Sequence, residues 1–285
     1  MSELAQNLCV VITRPSAQAE PWAAHLAQQG FATTFWNLLE ISAVTGEEQI
    51  RSIKNKILNF DLYQKVIFVS QNAVDHAMQW LEDYWPQLPI GIEYFAIGAT
   101  TANKLSVYGV PVQDLAVVSR GGMTSEDLLT ADQLQNVDGE KILIFRGRGG
   151  RGYLAEELTK RGARVDFCEL YERKLPFTAS EQLAQLMSLP KDTAKEVAEK
   201  QPIIALHSGE SLQNMQIAAA QLPDAAQAEG WLKQQILLVP SRRIADDAQA
   251  AGFTRTICAE NATDDAMTAA LLHYCRTQTC ISLQD

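Results

Sequence analysis

The sequence predicts an α/β protein made of two similar parallel-sheet domains that are joined by a two-stranded linker, with one domain inserted in the other. Three observations support this prediction. Short apolar runs alternate with helix-like stretches, which is typical of parallel strands buried on both faces. Two parts of the chain resemble each other in their order of elements. Two segments that alternate apolar and polar residues separate these parts.

Each strand-like run ends abruptly at a small, polar or basic residue, and a helix-like stretch follows at once. The six runs are 8–12, 66–69, 94–97, 142–145, 203–206 and 236–239. Ligands of open parallel sheets bind beyond the carboxyl ends of the strands. The six turns offer free N–H groups at helix N-termini, hydroxyls and guanidinium groups, which together favour anionic ligands.

A weak internal repeat supports the two-domain organisation. Residues 98–110 align with residues 239–253, and each segment reads as a strand end, a helix, a Gly stop and another short strand. Further along, Thr124 and Thr263 each precede acidic residues, so both are predicted to cap helices.

The domain boundaries follow from the two alternating segments, 36–44 and 163–174, which we interpret as extended crossings. The first domain is then discontinuous, with residues 1–38 and 173–285, and the second is the inserted block 39–172. The polar stretch 189–201 is predicted to be a surface insertion.

Composition limits the class of protein. The chain has 285 residues, which is long for one domain and enough for two, and its 47% apolar and 20% charged residues suit a soluble globular protein with a full-sized core. No apolar run approaches the roughly 18 residues of a membrane span, and the N-terminus lacks a basic region, so we expect a cytoplasmic protein. The net charge of -10 argues against nucleic acid as a partner. Local arginines can still make one cleft positive.

Several kinds of chemistry find no support. The five cysteines are odd in number and form no Cys-x-x-Cys pair, so neither a disulfide framework nor a metal site is predicted. The chain also lacks a Gly-x-Ser-x-Gly elbow and a Gly-x-x-x-x-Gly-Lys loop, which argues against serine nucleophiles and P-loop nucleotide chemistry.

The most specific local signal is the turn at 146–152, in which residues 147–152 satisfy G-x-G-x-x-G between a predicted strand and a predicted helix. Glu169 follows about twenty residues later, as in a dinucleotide site. That fingerprint, however, belongs to the first strand of a domain, and this turn comes late in its own. Arg146, Arg148 and Arg151 suit several carboxylates as well as one pyrophosphate. We therefore favour a general anion site, with nucleotide binding and a purely structural turn as alternatives.

Hydroxyl side chains recur at the predicted strand ends. These candidates for ligand contact are Ser70, Thr101, Ser208 and Ser241. Each could instead only cap the next helix, which is worth about 1 kcal/mol. The recurrence at similar positions favours a common binding role.

Two further side chains have open interpretations. Tyr171, near the end of the second crossing, either packs in a half-buried strand or donates a proton into a cleft. His207 is the one histidine of four at a strand end, where it could contact a ligand or bond the neighbouring backbone. His25, His76 and His273 lie on predicted helices without metal-ligand spacing and are interpreted as structural.

The motifs, taken in order, resemble those of uroporphyrinogen-III synthases. The resemblance extends from about Leu8 to Tyr274, and its motifs are residues 11–15, 68–74, 96–102, 146–153 and 170–173. It implies a bilobal fold with the active site in the cleft between the lobes. The implied reaction, in haem biosynthesis, is a dehydrating ring closure of hydroxymethylbilane with inversion of the fourth pyrrole ring. The resemblance implies neither a cofactor nor a metal, and we expect a monomer.

The resemblance also implies roles for particular residues. Tyr171 matches the tyrosine thought to assist loss of the substrate hydroxyl. The substrate-binding candidates, from the resemblance and the turn chemistry together, are Thr13, Arg14, Ser70, Thr100, Thr101, Arg146, Gly147, Arg148, Arg151, His207, Ser208, Ser241 and Arg242. Ser241 and Arg242 stand where family members often carry two threonines, so Arg242 is interpreted as a new carboxylate partner.

Two other functions remain open from the sequence. One is a bilobal cytosolic protein that binds or senses a small anion without turnover. The other is a nucleotide-dependent enzyme that uses the glycine-rich turn. Turnover of hydroxymethylbilane would distinguish a uroporphyrinogen-III synthase from both of these alternatives.

Overall fold

The computed structural model describes residues 7–113, 124–188 and 201–281. The chain divides into two compact units: unit 1 is Met1–Glu40 with Lys174–Asp285, and unit 2 is Ile41–Arg173. Unit 2 is thus an insertion in unit 1. That each unit is a domain able to fold by itself stays a prediction. Residues 189–200 of the predicted surface insertion lie outside the described residues.

Strands and helices alternate along the chain, as the apolar runs predict. The described strands are β1 (Leu8–Ile12), β2 (Ala32–Phe35), β3 (Glu40–Ala43), β4 (Lys65–Phe68), β5 (Glu93–Ala96), β6 (Lys141–Gly147), β7 (Arg164–Lys174), β8 (Gln201–Ala205), β9 (Ile236–Val239) and β10 (Thr256–Cys258). The described helices are α1 (Ser16–Gln28), α2 (Glu47–Leu58), α3 (Gln71–Tyr84), α4 (Ala99–Val107), α5 (Ser125–Leu128), α6 (Tyr153–Lys160), α7 (Ala179–Ser188), α8 (Gly209–Ala220), α9 (Ala225–Gln234), α10 (Arg242–Ala250) and α11 (Asp264–Ile281).

Each unit contains one five-stranded sheet, which confirms the predicted fold class. The order is β10-β9-β8-β1-β2 in unit 1 and β3-β7-β6-β4-β5 in unit 2. The pairs of the first sheet are parallel, and so are β4–β5, β4–β6 and β6–β7 in the second. The predicted crossings contain β3 and β7, which are neighbours at one edge of the second sheet.

The two sheets share one arrangement of strands and connections. In unit 1 the chain goes from β1 through α1 to β2 on one side, while β8, β9 and β10 extend the sheet on the other. In unit 2, β6 leads through α6 to β7, while β4 and β5 extend the other side. Each sheet therefore has a topological switch point, between β1 and β8 in unit 1 and between β6 and β4 in unit 2. Ligands of such sheets bind at these points.

The internal repeat is confirmed by α4 and α10. Both follow a parallel strand, and both end just before a glycine with positive φ, 70° at Gly109 and 91° at Gly252. Only glycine takes this left-handed conformation without strain, so each glycine stops its helix and starts the next connection. The predicted caps Thr124 and Thr263 also accept N–H groups, from Asp127 and Ala266.

The strands are apolar because helices cover both faces of the sheets. All five residues of β1 are buried, and so are all four of β4 and β9. In unit 2 the core includes Phe68 and Phe145, whose ring centroids lie 5.0 Å apart. Such cores hold the strand ends, and thus the turns beyond them, in fixed positions. Among the described residues, no helix is both long and apolar enough to cross a bilayer.

Candidate functional site

A pocket of about 330 Å³ lies at the switch point of unit 2, beyond the carboxyl ends of β4 and β6. Six of the predicted site residues line it: Ser70, Arg146, Gly147, Arg148, Arg151 and Tyr171. All of them belong to unit 2. The position is the one at which parallel sheets bind ligands, so the pocket is the leading candidate site.

The pocket wall includes the hydroxyl of Tyr171. This residue lies on β7 at a shift in the register between β6 and β7 and is only 4% exposed. Its hydroxyl is 2.9 Å from Ser70 Oγ, and either oxygen can be the donor. Ser70 Oγ also accepts the N–H of Ala73 at 3.1 Å, as the cap of α3. If Ser70 donates its own proton to Tyr171, the phenol proton is free for a ligand.

The ring of Tyr171 is fixed from two sides. The ring of His76 stacks on it with the centroids 5.3 Å apart and the planes at 19°. A Cβ at Gly147 would lie 2.5 Å from Tyr171 Cε2, so a glycine is needed for the close contact. Burial lowers the pKa of His76, although the charge of Asp75 acts in the opposite direction. The imidazole is therefore a neutral, flat support for the phenol at neutral pH.

The glycine-rich turn wraps around the guanidinium group of Arg146. Arg146 is 6% exposed, and it donates from Nε to the carbonyl of Gly147 and from Nη1 to that of Arg151, both at 3.1 Å. Its guanidinium carbon lies 4.5 Å from the centre of the Phe167 ring. A side chain folded back under its own turn in this way fixes both the turn and its own position.

Arg148 and Arg151 differ from Arg146 in exposure and in pairing. Arg148 Nη1 lies 2.8 Å from Glu172 Oε1, and Arg151 Nη1 lies 3.8 Å from Glu126 Oε1. The Arg151 side chain is 90% exposed. Backbone contacts of the turn are also partly used, since the N–H of Arg148 donates to the carbonyl of Tyr171 at 2.8 Å. The two outer arginines are thus exposed and have carboxylates nearby.

Thr100 and Thr101 lie in the first turn of α4 and do not line this pocket. Thr100 is exposed, whereas Thr101 is 3% exposed and its N–H bonds the carbonyl of Gly98. A ligand role for these threonines stays a prediction.

At the switch point of unit 1 the predicted site residues contact neighbouring side chains and backbone. Thr13 is buried and donates its hydroxyl to the carbonyl of Ala205 at 2.7 Å. Arg14 lies 2.6 Å from Asp264 and 5.4 Å from the centre of the Trp22 ring. His207 packs edge-on against Trp22, with centroids 5.2 Å apart.

The imidazole of His207 is neutral at physiological pH. Burial, together with the positive charge of Arg14, lowers the pKa of His207 to about 3. Arg14 already has a carboxylate partner, although its Nε and both ring nitrogens of His207 are buried without a hydrogen-bond partner among the described residues. Ligand contact by Thr13, Arg14 and His207 stays a prediction.

The serines at strand ends cap the helices that follow. Ser70, Ser208 and Ser241 each have extended backbone and accept the N–H of the residue three positions on, which confirms the capping interpretation. Arg242 is exposed and pairs with Asp246 on its own helix at 3.2 Å. Whether Ser208, Ser241 and Arg242 also bind a ligand stays a prediction.

Sequence reasoning missed three residues that position this site. The sequence pattern indicates a structural role for His76, places Glu126 only as an acid in the first turn of the helix that Thr124 caps, and does not single out Phe167. The available signals were weak: His76 borders the buried face of the helix capped by Ser70, and Phe167 alternates with inward residues on β7. Among the residues that the structure describes, no group of three or more His, Cys, Asp or Glu could hold a metal ion.

Comparison with known proteins gives one consistent family. The family model described as "Uroporphyrinogen-III synthase HemD" matches residues 20–269. Uroporphyrinogen-III synthase of Escherichia coli is 32% identical over 268 residues, covering 93% of this chain and 100% of the relative. The enzyme of Salmonella typhimurium is 32% identical over 266 residues, with the same coverage.

Solved structures agree in fold. A mutant uroporphyrinogen III synthase from Thermus thermophilus superposes with a TM-score of 0.58 at 16% identity, covering 95% of this chain and 99% of that one. Uroporphyrinogen-III synthetase from Helicobacter pylori gives a TM-score of 0.56 at 14% identity, covering 94% and 99%. At these identities the likeness shows the fold alone.

Proposed function

This chain belongs to the uroporphyrinogen-III synthase family, and we propose that the pocket of unit 2 is where it performs the chemistry of that family. The chain is a cyclising hydro-lyase of tetrapyrrole biosynthesis. Its proposed substrate is hydroxymethylbilane, an open tetrapyrrole with eight carboxylates. The proposed products are uroporphyrinogen III and water.

One observation supports this assignment of the site above the others. The Tyr171 hydroxyl is in hydrogen-bond contact with Ser70 and borders a pocket whose rim is the glycine-rich turn. A proton donor and an anion-binding turn thus face the same space. The reaction needs both, because it removes a hydroxyl group from a molecule that carries many carboxylates.

In the proposed first step, the C–O bond of the hydroxymethyl group breaks and its electron pair leaves with the oxygen. Tyr171 gives its proton to that oxygen, and water departs. The pyrrole nitrogen supplies electron density to the remaining carbon, so an azafulvene cation forms. Ser70 stabilises the phenolate by donating its own proton in a hydrogen bond, in the orientation that the cap to Ala73 leaves open.

In the proposed second step, the cation is attacked by the terminal pyrrole ring at its substituted carbon, and a spiro intermediate forms. The bond between the spiro carbon and its original methylene bridge then breaks, the ring turns over, and its unsubstituted α-carbon bonds that bridge. Loss of the C–H proton from this carbon restores the Tyr171 phenol. Protons therefore balance without any added reagent. The main task of the protein is to hold one folded shape of a flexible chain, which is an effect of orientation.

The carboxylates of the substrate are proposed to bind at the glycine-rich turn, to which the positive charge of the surrounding side chains attracts them. Four arginines and one glutamate are among the described residues that line the pocket: Arg146, Arg148, Arg151, Arg173 and Glu126. The helix α6 starts at the end of the turn, and its N-terminal N–H groups favour anions. The local excess of positive charge contrasts with the acidic chain as a whole.

We further propose that the protein works in the cytoplasm as a monomer. We also propose that it needs no cofactor, since each proposed step uses only a proton donor, hydrogen bonds and fixed charges. Thr100, Thr101, Thr13, His207, Ser208, Ser241 and Arg242 stay candidates for contact with the remaining carboxylates, whereas Arg14 already pairs with Asp264 and is expected to contribute little. The pocket provides no argument for or against the other seven.

Turnover tests the assignment. Purified protein, mixed with freshly generated hydroxymethylbilane and no cofactor, should form the III isomer of uroporphyrinogen, whereas the substrate alone closes to the I isomer. Isomers are separated by chromatography after oxidation to the porphyrins. Recovery of the I isomer alone would contradict the proposal. A rise in melting temperature with NADPH or FAD would instead favour the nucleotide-dependent alternative.

A further inference from the structure

Arg146 is a buried cation whose charge has no acidic partner within the part of the chain that the structure describes. We infer that Arg146, and neither Arg148 nor Arg151, is the residue that binds a ligand carboxylate in the unit 2 pocket, so that it decides which substrate group lies beside Tyr171. This inference rests on the proposed function, because that function supplies a ligand rich in carboxylates.

The hydrogen bonds of Arg146 leave donors free for a ligand. A guanidinium group has five N–H donors. The Nε–H goes to the carbonyl of Gly147, and one Nη1–H goes to the carbonyl of Arg151. The second Nη1–H and both Nη2–H groups have no partner among the described residues. Arg146 is 6% exposed and lines the pocket, so the pocket is where these donors can find an acceptor.

The fork of Arg146 is fixed before any ligand arrives. The Phe167 ring lies against the guanidinium plane, with the guanidinium carbon 4.5 Å from its centre. On another side, the Cβ of any residue other than glycine at position 150 would lie 2.2 Å from Nη2. Because Gly150 leaves this space, the backbone can close over the guanidinium. A rigid, planar donor pair matches a carboxylate and loses little entropy when it binds.

The charge of Arg146 gives the pocket its attraction for anions. Burial removes water from a cation, and backbone carbonyls compensate only partly for this loss. A carboxylate at the free donors would restore the missing countercharge through charge-assisted hydrogen bonds. A phosphate could use the same fork, so the kind of anion is decided by experiment.

The outer arginines of the turn lack these properties. Arg148 pairs with Glu172 at 2.8 Å, and Arg151 lies 3.8 Å from Glu126, with its side chain almost fully in solvent. Water and neighbouring carboxylates already compensate their charges. Exposed ion pairs contribute little, typically about 0 to 1 kcal/mol. Loss of either outer arginine should therefore have a small effect on binding.

Steady-state kinetics with hydroxymethylbilane tests this assignment. Arg146→Gln should raise KM by at least about tenfold, since it removes a charged donor pair, while kcat should change less. Arg146→Lys keeps the charge but loses the fork, so its KM should lie between those of the wild type and Arg146→Gln. Arg148→Gln, the matched control in the same turn, should stay within about threefold of the wild type. Wild-type turnover is measured first, because its absence would contradict the proposed function and with it this inference, whereas an active wild type with unchanged variants would overturn the inference alone.

Two glycine variants test the same inference in case Arg146→Gln does not fold. Gly150→Ala keeps every charge and pushes the guanidinium aside, so it should also raise KM. Gly152→Ala is its control, because there the added methyl group would meet only the flexible end of Glu156. With an active wild type, an unchanged KM in both Arg146→Gln and Gly150→Ala would overturn the inference, as would an equal rise in Arg148→Gln. A rise in melting temperature with pyrophosphate that Arg146→Gln abolishes would replace carboxylate with phosphate as the ligand group.

Discussion

The switch points of the two units share one backbone plan and differ in the side chains that fill it. The last paired residues at the switch points are Phe145 with Phe68 in unit 2 and Ile12 with Ala205 in unit 1. Arg146 therefore stands in unit 2 where Thr13 stands in unit 1. The Thr13 hydroxyl donates a hydrogen bond to the carbonyl of Ala205 on the neighbouring strand. The Arg146 side chain instead folds back under the glycine-rich turn.

The difference in charge is as clear as the difference in shape. In unit 1, Arg14 is paired with Asp264, His207 is neutral, and Trp22 packs against both. In unit 2, Arg146 has no acidic partner among the described residues, and a pocket remains open beside Tyr171. Topology thus offers two equivalent positions for a ligand, and side chains decide which of them attracts an anion.

Among the variants that test this comparison, loss of the Tyr171 hydroxyl in unit 2 should have the largest effect on activity. General-acid catalysis typically contributes about 10²- to 10⁴-fold, so Tyr171→Phe should lower kcat by at least about 100-fold. Tyr153→Phe, an exposed tyrosine at the start of α6, is the matched control and should keep near-normal kcat. Melting temperatures of both variants must be compared, because Tyr171 also packs against His76. Near-normal turnover by a stable Tyr171→Phe protein would show that the phenol is structural.

Because His207 of unit 1 is neutral in the folded protein, it should lower the free energy of unfolding as the pH falls. Its folded pKa of about 3 lies below the ordinary value of 6.5, so only the unfolded state takes up a proton as the pH falls below about 6.5. Wild-type stability should therefore decline from this group through the range between these two pKa values, by about 2 kcal/mol at pH 5.

The measurement is urea unfolding at pH 7 and pH 5. His207→Gln should lose less stability between these pH values than the wild type, by about the same 2 kcal/mol. His273→Gln, at an exposed position on α11, should follow the wild type. The same loss in His207→Gln as in the wild type would mean that the unit 1 switch point does not keep its histidine neutral.

Much of the framework could be predicted from the sequence, because it depends on local patterns. The run 142–145 lies within β6, and the glycines at 109 and 252 end helices as expected, since apolar periodicity and positive φ are properties of short segments. Capping by Ser70, Ser208 and Ser241 is likewise one of the two interpretations that their own neighbourhoods allow. The rule that ligands bind beyond the ends of parallel strands selects Ser70 and Arg146 as candidates, whereas Tyr171 is selected through the family resemblance.

The remaining features of the site depend on contacts between distant segments. The register shift that places Tyr171 opposite Gly147 is not written in either strand alone. Similarly, the direction of the Arg146 side chain depends on Phe167 and Gly150. From the sequence alone, Arg146, Arg148 and Arg151 are equally good candidates for anion binding. The pairing of Arg14 with Asp264 spans most of the chain, so no spacing rule could show that this arginine is already neutralised.

The most direct test of the account is to make the same substitution at both switch points and to compare KM for hydroxymethylbilane. Arg146→Gln in unit 2 should raise KM by at least about tenfold. Arg14→Gln in unit 1 should keep KM within about threefold of the wild type and lower the melting temperature slightly, because it breaks a partly exposed ion pair. A larger rise in KM for Arg14→Gln than for Arg146→Gln would contradict the account and place the anion site in unit 1.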